Sequence, residues 1–464
     1  MSEPAHVQIT LVYPTRKHNR PQAPAEIPLH GFDLLSWPLQ IKNHRFFRPP
    51  QSLAFDDVVT KLQTSLAEAL ELYPPVAGQV RTDEGGDVII ATRVDSGTPF
   101  LVERRDIPFI ADSEDLAPRS DVLLPLGSQV LAVKVTQFSC GTIAVATSIH
   151  HQVTDLRGYL DFLEVWSSLV RGEAPPDSTL PRDFTHTPSR FLPLLSDNQD
   201  ALLAPPGYEA LPLADAGGSP FSPARITRWR FTPAQMSKLK KDMTASFSTP
   251  TQWISSGDAV AALAAVAITR ARKASNLPRL QCFGGGSSAN SPNDRIAMAA
   301  DGRSRAPDGA MLNRQYFGNF NALPIISVPR VDLESPSLES CARVALSLRQ
   351  GLQEQLSPQA LAHKTAFFEE PKHKHPEGRV AWRSDVTMTN WSGFDLEGPE
   401  FGLGWGSPFL TTDGSVGSAY PPGYVLFQRD GGTKGLLAMI TVEEQAVAGL
   451  ETDRFLREHG TLVS

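Results

Sequence analysis

The chain has 464 residues, 41% hydrophobic and 20% charged, a usage close to that of ordinary globular proteins, which excludes a disordered or fibrous class. Its formal charge of -7 and pI near 5.9 leave no electrostatic footprint for nucleic acid or an anionic membrane surface, so neither is expected as a partner. Cys140, Cys282 and Cys341 lie far apart with no Cys-x-x-Cys spacing, which suggests neither a zinc site nor a disulfide framework and suits a reducing compartment.

The first residues lack the basic and apolar regions of a signal peptide, and no run approaches about 18 apolar residues, so a cytoplasmic protein is expected. In chain order, residues 6–13 alternate as an opening strand, 21–28 are proline-rich and read as a loop, and 33–39 form a short apolar segment. Val58, Leu62, Leu66, Ala69 and Leu70 recur at helical spacing, which predicts a helix over 57–72, capped by Asp56 or Asp57 and stopped by Tyr73, Pro74 and Pro75. Strands are expected around 88–91 and 100–103. Residues 130–138 alternate, Cys140 and Gly141 supply a turn, and 143–149 return as an apolar, β-branched run, so the pair reads as a hairpin. The second strand delivers His150 and His151, with Asp155 four residues beyond His151. A helix over 158–171 follows, with Tyr159, Leu160, Phe162, Leu163, Trp166 and Leu169 on its apolar face.

From about 172 to 223 the chain is rich in Pro, Ser, Asp and Gly without a sustained period. This predicts a crossover loop, 181–223, between an N-terminal domain, 1–180, and a C-terminal domain, 224–464. In the second domain a strand over 226–231 leads into a helix over 232–243 with Pro at its first helical position. Ser255, Ser256, Gly257 and Asp258 cap a buried Ala- and Val-rich helix, 259–273, with a basic exit of Arg270, Arg272 and Lys273. Residues 283–290 are rich in Gly and Ser, but no Gly-Lys-Ser follows, so they read as a plain loop. A strand over 296–300 ends in Asp301, Gly302, Arg303, Ser304 and Arg305, with Tyr316, Phe317, Gly318 and Asn319 beyond. A helix over 338–356, a strand over 386–391, a hairpin of 424–427 with 435–441 and a closing helix over 442–459 complete the chain. Strands and helices interleave in both halves, so the class is α/β or α+β with two domains of similar size.

A neutral imidazole can take the proton of a hydroxyl or amine as that group attacks a carbonyl, and its ordinary pKa suits this near neutrality. His151 is the candidate base. Asp155, paired with a cation, would fix the local geometry and leave the histidine neutral, and Arg303 is the candidate cation. His150 reads as packing, and His373 and His375 as part of an exposed loop. The four-residue spacing also suits metal ligands, but no third ligand cluster is evident and no metal is expected.

Taken together, these motifs resemble the BAHD acyltransferases, a coenzyme-A-dependent family of plant and fungal secondary metabolism. The resemblance rests on the run Leu72 to Gly78 and on His151 with Asp155 as the family's His-x-x-x-Asp. Asp301 to Arg305 is similar to its Asp-Gly-Arg-Ser-Arg, and Tyr316 to Asn319 reproduces its Tyr-Phe-Gly-Asn. Thr389, Asn390 and Trp391 resemble Thr-Ser-Trp, and Gly404 to Pro408 the end of Asp-Phe-Gly-Trp-Gly-Lys-Pro. The resemblance implies two chloramphenicol-acetyltransferase-like domains with mixed sheets flanked by helices and an active-site channel at their interface. Acyl-CoA, acetyl-CoA by default, would enter from one face and a small-molecule acceptor from the other. No permanently bound cofactor is implied, and a monomer is expected. His151 would deprotonate an acceptor hydroxyl, which attacks the thioester directly.

Asp301, Arg303, Asn319, Thr389 and Asn390 would support this site, and Trp405 would donate its indole N–H near the oxyanion. Ser255, Ser256, Arg270, Arg272 and Lys273 would contact coenzyme A, the three basic residues at its phosphates. Two departures stand out. Leu156 occupies the place of the family's Gly after the aspartate, so the turn into the helix must be made without a residue that tolerates positive φ. Leu403 separates Glu400-Phe401-Gly402 from Gly404-Trp405-Gly406, so the motif's aspartate position falls on Glu400 or on Gly402. A carrier-protein-dependent condensation-type enzyme and a catalytically silent binding protein are the alternatives. The acceptor pocket is expected on loops such as 28–50 and 360–385.

Overall fold

Two mixed sheets carry the fold of the computed structural model. The first has the order β1 (Val7–Val12), β6 (Thr98–Arg105), β7 (Leu131–Phe138), β8 (Ile143–His150), β3 (Gln40–Phe47), β15 (Leu410–Thr412). The second has the order β12 (Ile325–Pro329), β11 (Asn293–Met298), β14 (Val386–Asn390), β16 (Tyr424–Arg429), β17 (Leu436–Glu443), β10 (Ala224–Phe231), β18 (Thr461–Leu462). Within the first sheet β6 and β7 run parallel, and within the second β14 is parallel to both β11 and β16. Two small sheets join β2 (Glu26–Pro28), β5 (Val88–Ala91) and β4 (Gln79–Thr82), and β13 (Val380–Trp382) with β9 (Tyr208–Ala210). The described residues are 7–17, 23–29, 31–50, 52–93, 97–110, 116–121, 123–175, 180–181, 184–193, 203–210, 224–249, 251–278, 287, 290–305, 316–375, 378–398, 400–412 and 420–464.

Every side chain of β8 is buried, because both faces of this strand are covered. Ile143, Val145 and Ile149 join an apolar cluster with α2 (Phe55–Leu72) and α3 (Leu156–Val170), while Ala144 and Ala146 join Phe46, Leu116 and Phe138 on the other face. A strand covered on both sides needs a continuous apolar run, which is what its sequence shows. Under the second sheet, α5 (Ser256–Ala274) is buried from Asp258 to Thr269, so it is apolar on all sides instead of along one stripe. It packs against α4 (Pro233–Thr244) and the helices Leu338–Gln355 and Glu444–Glu451.

Several expectations need correction. Residues 28–50 are not a loop: α1 (Gly31–Leu35) and β3 lie there, and β3 pairs with β8 along its whole length. Glu26–Pro28 pairs with β5 at a sheet edge, where a missing N–H is tolerated. The helix over 55–72 is entered at Ala54 without a side-chain cap, and Asp56 and Asp57 fall in its first turn, where carboxylates suit the helix dipole. Residues 360–385 are largely the helix Pro358–Glu369, a short helix Pro371–Lys374 and β13. His373 is therefore helical, stacked on Phe367 at 4.1 Å, and not part of an exposed loop. The closing helix divides: β17 runs to Glu443, and Asp453 caps a separate helix, Arg454–His459, through Phe455 N and Leu456 N. The crossover 181–223 and the Gly-rich 283–290 lie mostly outside the described residues.

The chain also crosses back. Phe401, Leu403 and Trp405 join the core of the first sheet, and β15 pairs with β3, so residues 401–412 belong structurally with the N-terminal half. Among the described residues no helix is long and apolar enough to cross a membrane.

Candidate active site

β8 ends at His150, and His151 opens the turn that leads to α3. This position splits the two histidines. His150 is buried, its Nδ1 accepts from Gln152 N at 3.3 Å, and burial, with the charge of Arg119, pushes its pKa down to about 3. It stays neutral at any working pH. His151 is partly exposed, and burial also holds its imidazole below the ordinary histidine value, against the opposing pull of its own carbonyl, Asp155 and Asn319. Its Nδ1 has no hydrogen-bond partner among the described residues. A neutral, partly accessible imidazole at the rigid end of a central strand can accept a proton.

Asp155 is the N-cap of α3, accepting from Gly158 N at 3.2 Å through Oδ1. Its Oδ2 accepts from Phe320 N at 2.8 Å and from Arg303 Nη1 at 2.7 Å. Burial would raise this carboxyl, but the Arg303 charge and these three donors hold it below the usual carboxylate range. Arg303, 2% exposed, also reaches Asp301 Oδ1 at 3.1 Å and the carbonyls of Tyr316 and Gly318. Burial would lower its pKa, and the charges of Asp155 and Asp301 raise it instead. The pair joins the turn after β8 to the turn after β11, one from each sheet. No hydrogen bond links the Asp155 carboxylate to the His151 imidazole among the described residues.

Leu156 is the first residue of α3 and is absent from the positive-φ positions of the chain. The expected need for a left-handed residue there does not arise. The steric demand sits two residues on: a Cβ on Gly158 would collide with Thr154 Oγ1 and lie 2.5 Å from the Phe317 carbonyl oxygen.

Asn319 Nδ2 donates to the His151 carbonyl at 2.8 Å. It also donates to Asp33 Oδ1 at 2.9 Å, and Asp33 Oδ2 lies 2.9 Å from His186 Nδ1. Asp33 and His186 were not anticipated from the sequence. A charged residue inside the apolar stretch 33–39 was the available signal.

Other expected site residues lie elsewhere. Trp405 packs on Phe47 at 4.6 Å, and Phe47 pairs with Ile143 at the opposite end of β8 from His150. Those strand ends are about 23 Å apart, so the structure does not bring the Trp405 indole to His151. Arg270 is held by Asp453 at 2.6 Å and the Ser335 carbonyl, Arg272 is buried against Glu443 and the Pro278 carbonyl, and Lys273 pairs with Glu334 at 2.6 Å. Arg270 and Arg272 are thus committed to buried or half-buried ion pairs, whereas the Lys273 side chain stays exposed beside Glu334. Ser255 caps α5 in a reciprocal box with Asp258 and also accepts from Arg349, while Ser256 is the first helical residue. Thr389 and Asn390 end β14, where Asn390 Oδ1 accepts from Ser392 N at 2.9 Å and closes a turn. In the second motif Gly402, Gly404 and Gly406 all have positive φ and alternate with buried Phe401, Leu403 and Trp405. Neither Glu400, which accepts from Ser407 Oγ, nor Gly402 supplies a buried carboxylate.

The family model described as the Transferase family matches residues 7–456. The chain belongs to it, as a BAHD acyltransferase family member. Taxadien-5-alpha-ol O-acetyltransferase of Taxus chinensis is 33% identical over 135 residues, which span 27% of this chain and only 30% of that relative. Hydroxycinnamoyltransferase of Narcissus pseudonarcissus is 26% identical over 402 residues, 80% of this chain and 82% of the relative. F. graminearum TRI101, complexed with coenzyme A and deoxynivalenol, superposes with a TM-score of 0.69 at 18% identity, over 95% of this chain and 100% of that one. The fold is that of a two-domain, chloramphenicol-acetyltransferase-like BAHD member, as the resemblance implied.

Proposed function

We propose that this protein transfers an acyl group, acetyl by default, from acyl-CoA to a hydroxyl of a small natural product, with His151 as general base. The carrying observation is the partly exposed, neutral His151 held at the end of β8 while Asp155 is spent on Arg303 and two backbone N–H groups. The imidazole takes the acceptor's O–H proton as that oxygen bonds to the thioester carbon. The tetrahedral intermediate then collapses, the C–S bond breaks, and the imidazolium returns its proton to the thiolate of CoA. No acyl-enzyme forms. Asp155, Arg303, Asp301 and Asn319 hold the turn that carries the base. The named activities of the plant relatives and the coenzyme A in the TRI101 complex support the donor class. A monomer in the cytoplasm completes the reading, for which the free thiols of Cys140 and Cys341 offer support.

The test is to incubate the purified protein with an acyl-CoA mixture and hydroxylated acceptors, following free thiol release and product mass. Acylated product with matching CoA release is expected. Transfer from an acylated carrier protein alone would favour a condensation-type enzyme, and coenzyme A binding without turnover across the panel a silent binding protein.

A further inference from the structure

Behind His151 runs a buried chain of hydrogen bonds that proton transfer itself does not require. Asn319 holds the His151 carbonyl at 2.8 Å, and its main-chain N and its Nδ2 each reach Asp33 Oδ1 at 2.9 Å. Asp33 Oδ2 meets His186 Nδ1 at 2.9 Å. Asp33 and Asn319 are fully buried and His186 is 3% exposed. Asp33 Oδ1 accepts from Asn319, and Nδ1 of His186 is assigned as the donor of its bond to Oδ2.

The His186 ring is wedged in place. Its backbone sits at φ 37, a left-handed conformation that a non-glycine residue keeps only where its surroundings impose it. Across from it, a Cβ on Gly318 would lie 2.8 Å from both His186 Nδ1 and the Tyr316 hydroxyl, so only glycine leaves room for the ring. Three distant stretches therefore meet behind the base in series: Asn319 of the Tyr316 to Asn319 motif touches the His151 main chain, α1 reaches Asn319 through Asp33, and the segment 184–193 reaches Asp33 through His186. From the other side, His151 N donates to Leu39 O at 2.9 Å, so both backbone polar groups of His151 are fixed.

We propose that His186 is a positioning residue for His151, acting through Asp33 and Asn319; the inference rests on His151 being the general base. Without His186, a fully buried carboxylate loses one of its partners, and Asp33 shifts away from Asn319 to compensate. A misplacement near 1 Å at the base is worth up to about 10²-fold in rate.

The experiment compares His186→Ala, His186→Phe and His186→Asn with the intact protein in steady-state acyl transfer, with His151→Ala alongside. His186→Ala and His186→Phe are expected to lower kcat by roughly 10-fold with the KM for acyl-CoA unchanged. Asn places an amide N–H near the Nδ1 position and tolerates the left-handed backbone, so His186→Asn recovers most of kcat. A merely structural histidine would move the melting temperature without this split between donor and non-donor substitutions. Wild-type kcat in His186→Ala and His186→Phe, with His151→Ala inactive, overturns the positioning role and leaves the base reading intact. An active His151→Ala overturns the base reading itself, and the inference with it. Should His186→Ala not fold, His186→Asn against His186→Gln decides: a higher kcat for Asn supports the role, and equal values overturn it.

Discussion

The Asp155 carboxylate lies 2.7 Å from the Arg303 guanidinium and forms no hydrogen bond to the His151 imidazole among the described residues. The acid of the His-x-x-x-Asp motif is thus a joint between two sheets that acts on the base as a nearby charge and not through a hydrogen bond. Removing one member of a buried pair leaves the other uncompensated, at about 3–5 kcal/mol. Arg303→Met should therefore lower the free energy of unfolding by about that amount in urea titrations. The sign with pH follows from the lowered Asp155 pKa: its stabilisation is present above the unfolded value of about 3.9 and is lost as pH falls through the folded value. The Arg303→Met protein should lack this acid-range component, and a change under about 1 kcal/mol in both quantities would count against the joint.

Burial lowers the pKa of His151, so its neutral form persists below the ordinary histidine value. Because the base acts when neutral, kcat/KM should stay level through neutrality and fall only as pH drops below about 6.5. His151→Ala should lower turnover by about 10² to 10⁴. A pH profile whose acid limb sits above pH 7 would contradict the assignment, as would an alanine variant of wild-type rate.

Leu156 replaces the family's glycine at no conformational cost, because it begins α3, whereas Gly158 faces Thr154 and the Phe317 carbonyl without room for a methyl group. Gly158→Ala should destabilise the protein by about 1–3 kcal/mol, since a backbone carbonyl cannot yield as a flexible side chain would. Leu156→Gly should cost about 1–2 kcal/mol through lost helix propensity and burial, with no gain in activity. Thermal unfolding of the two variants checks both, and a Leu156→Gly protein more stable than wild type would overturn this account.

The β7–β8 hairpin and α5 were legible because each wears its environment in its sequence: a continuous apolar run for a strand covered on both faces, and an apolar helix for a buried one. β3 was not. Its residues Gln40, Lys42, Asn43, His44 and Arg45 read as a polar loop, yet Asn43, His44 and Arg45 are buried in a strand that pairs with β8 on one side and β15 on the other. Their accommodation comes from far along the chain, with Asn43 Nδ2 on the Leu396 carbonyl at 3.1 Å and Arg45 over the Phe401 ring at 5.8 Å. Asp33 was hidden for the same reason, since His186 and Asn319 acquire meaning beside it only after folding. The motif residues around Asp155 and Arg303 were legible as a set through family resemblance. Trp405 shows the limit of that route, because a motif can mark packing as well as chemistry.

Trp405 gives the sharpest separation of those two roles. Its indole is 5% exposed, packed on Phe47 and near Phe401, and its Nε1 has no hydrogen-bond partner among the described residues. Trp405→Phe removes the N–H and keeps an aromatic ring in the same pocket. If that N–H served the oxyanion, its loss would cost about 10² to 10³ in kcat. The placement of Trp405 at the far end of β3 and β8 from His151 leads to the opposite expectation: kcat within twofold of wild type. Stability should fall only modestly, because no hydrogen bond is lost, while Trp405→Ala should cost about 3–5 kcal/mol through the cavity it leaves. Paired measurements of kcat and of the denaturation midpoint decide the matter, since an oxyanion donor moves the first and a packing residue the second.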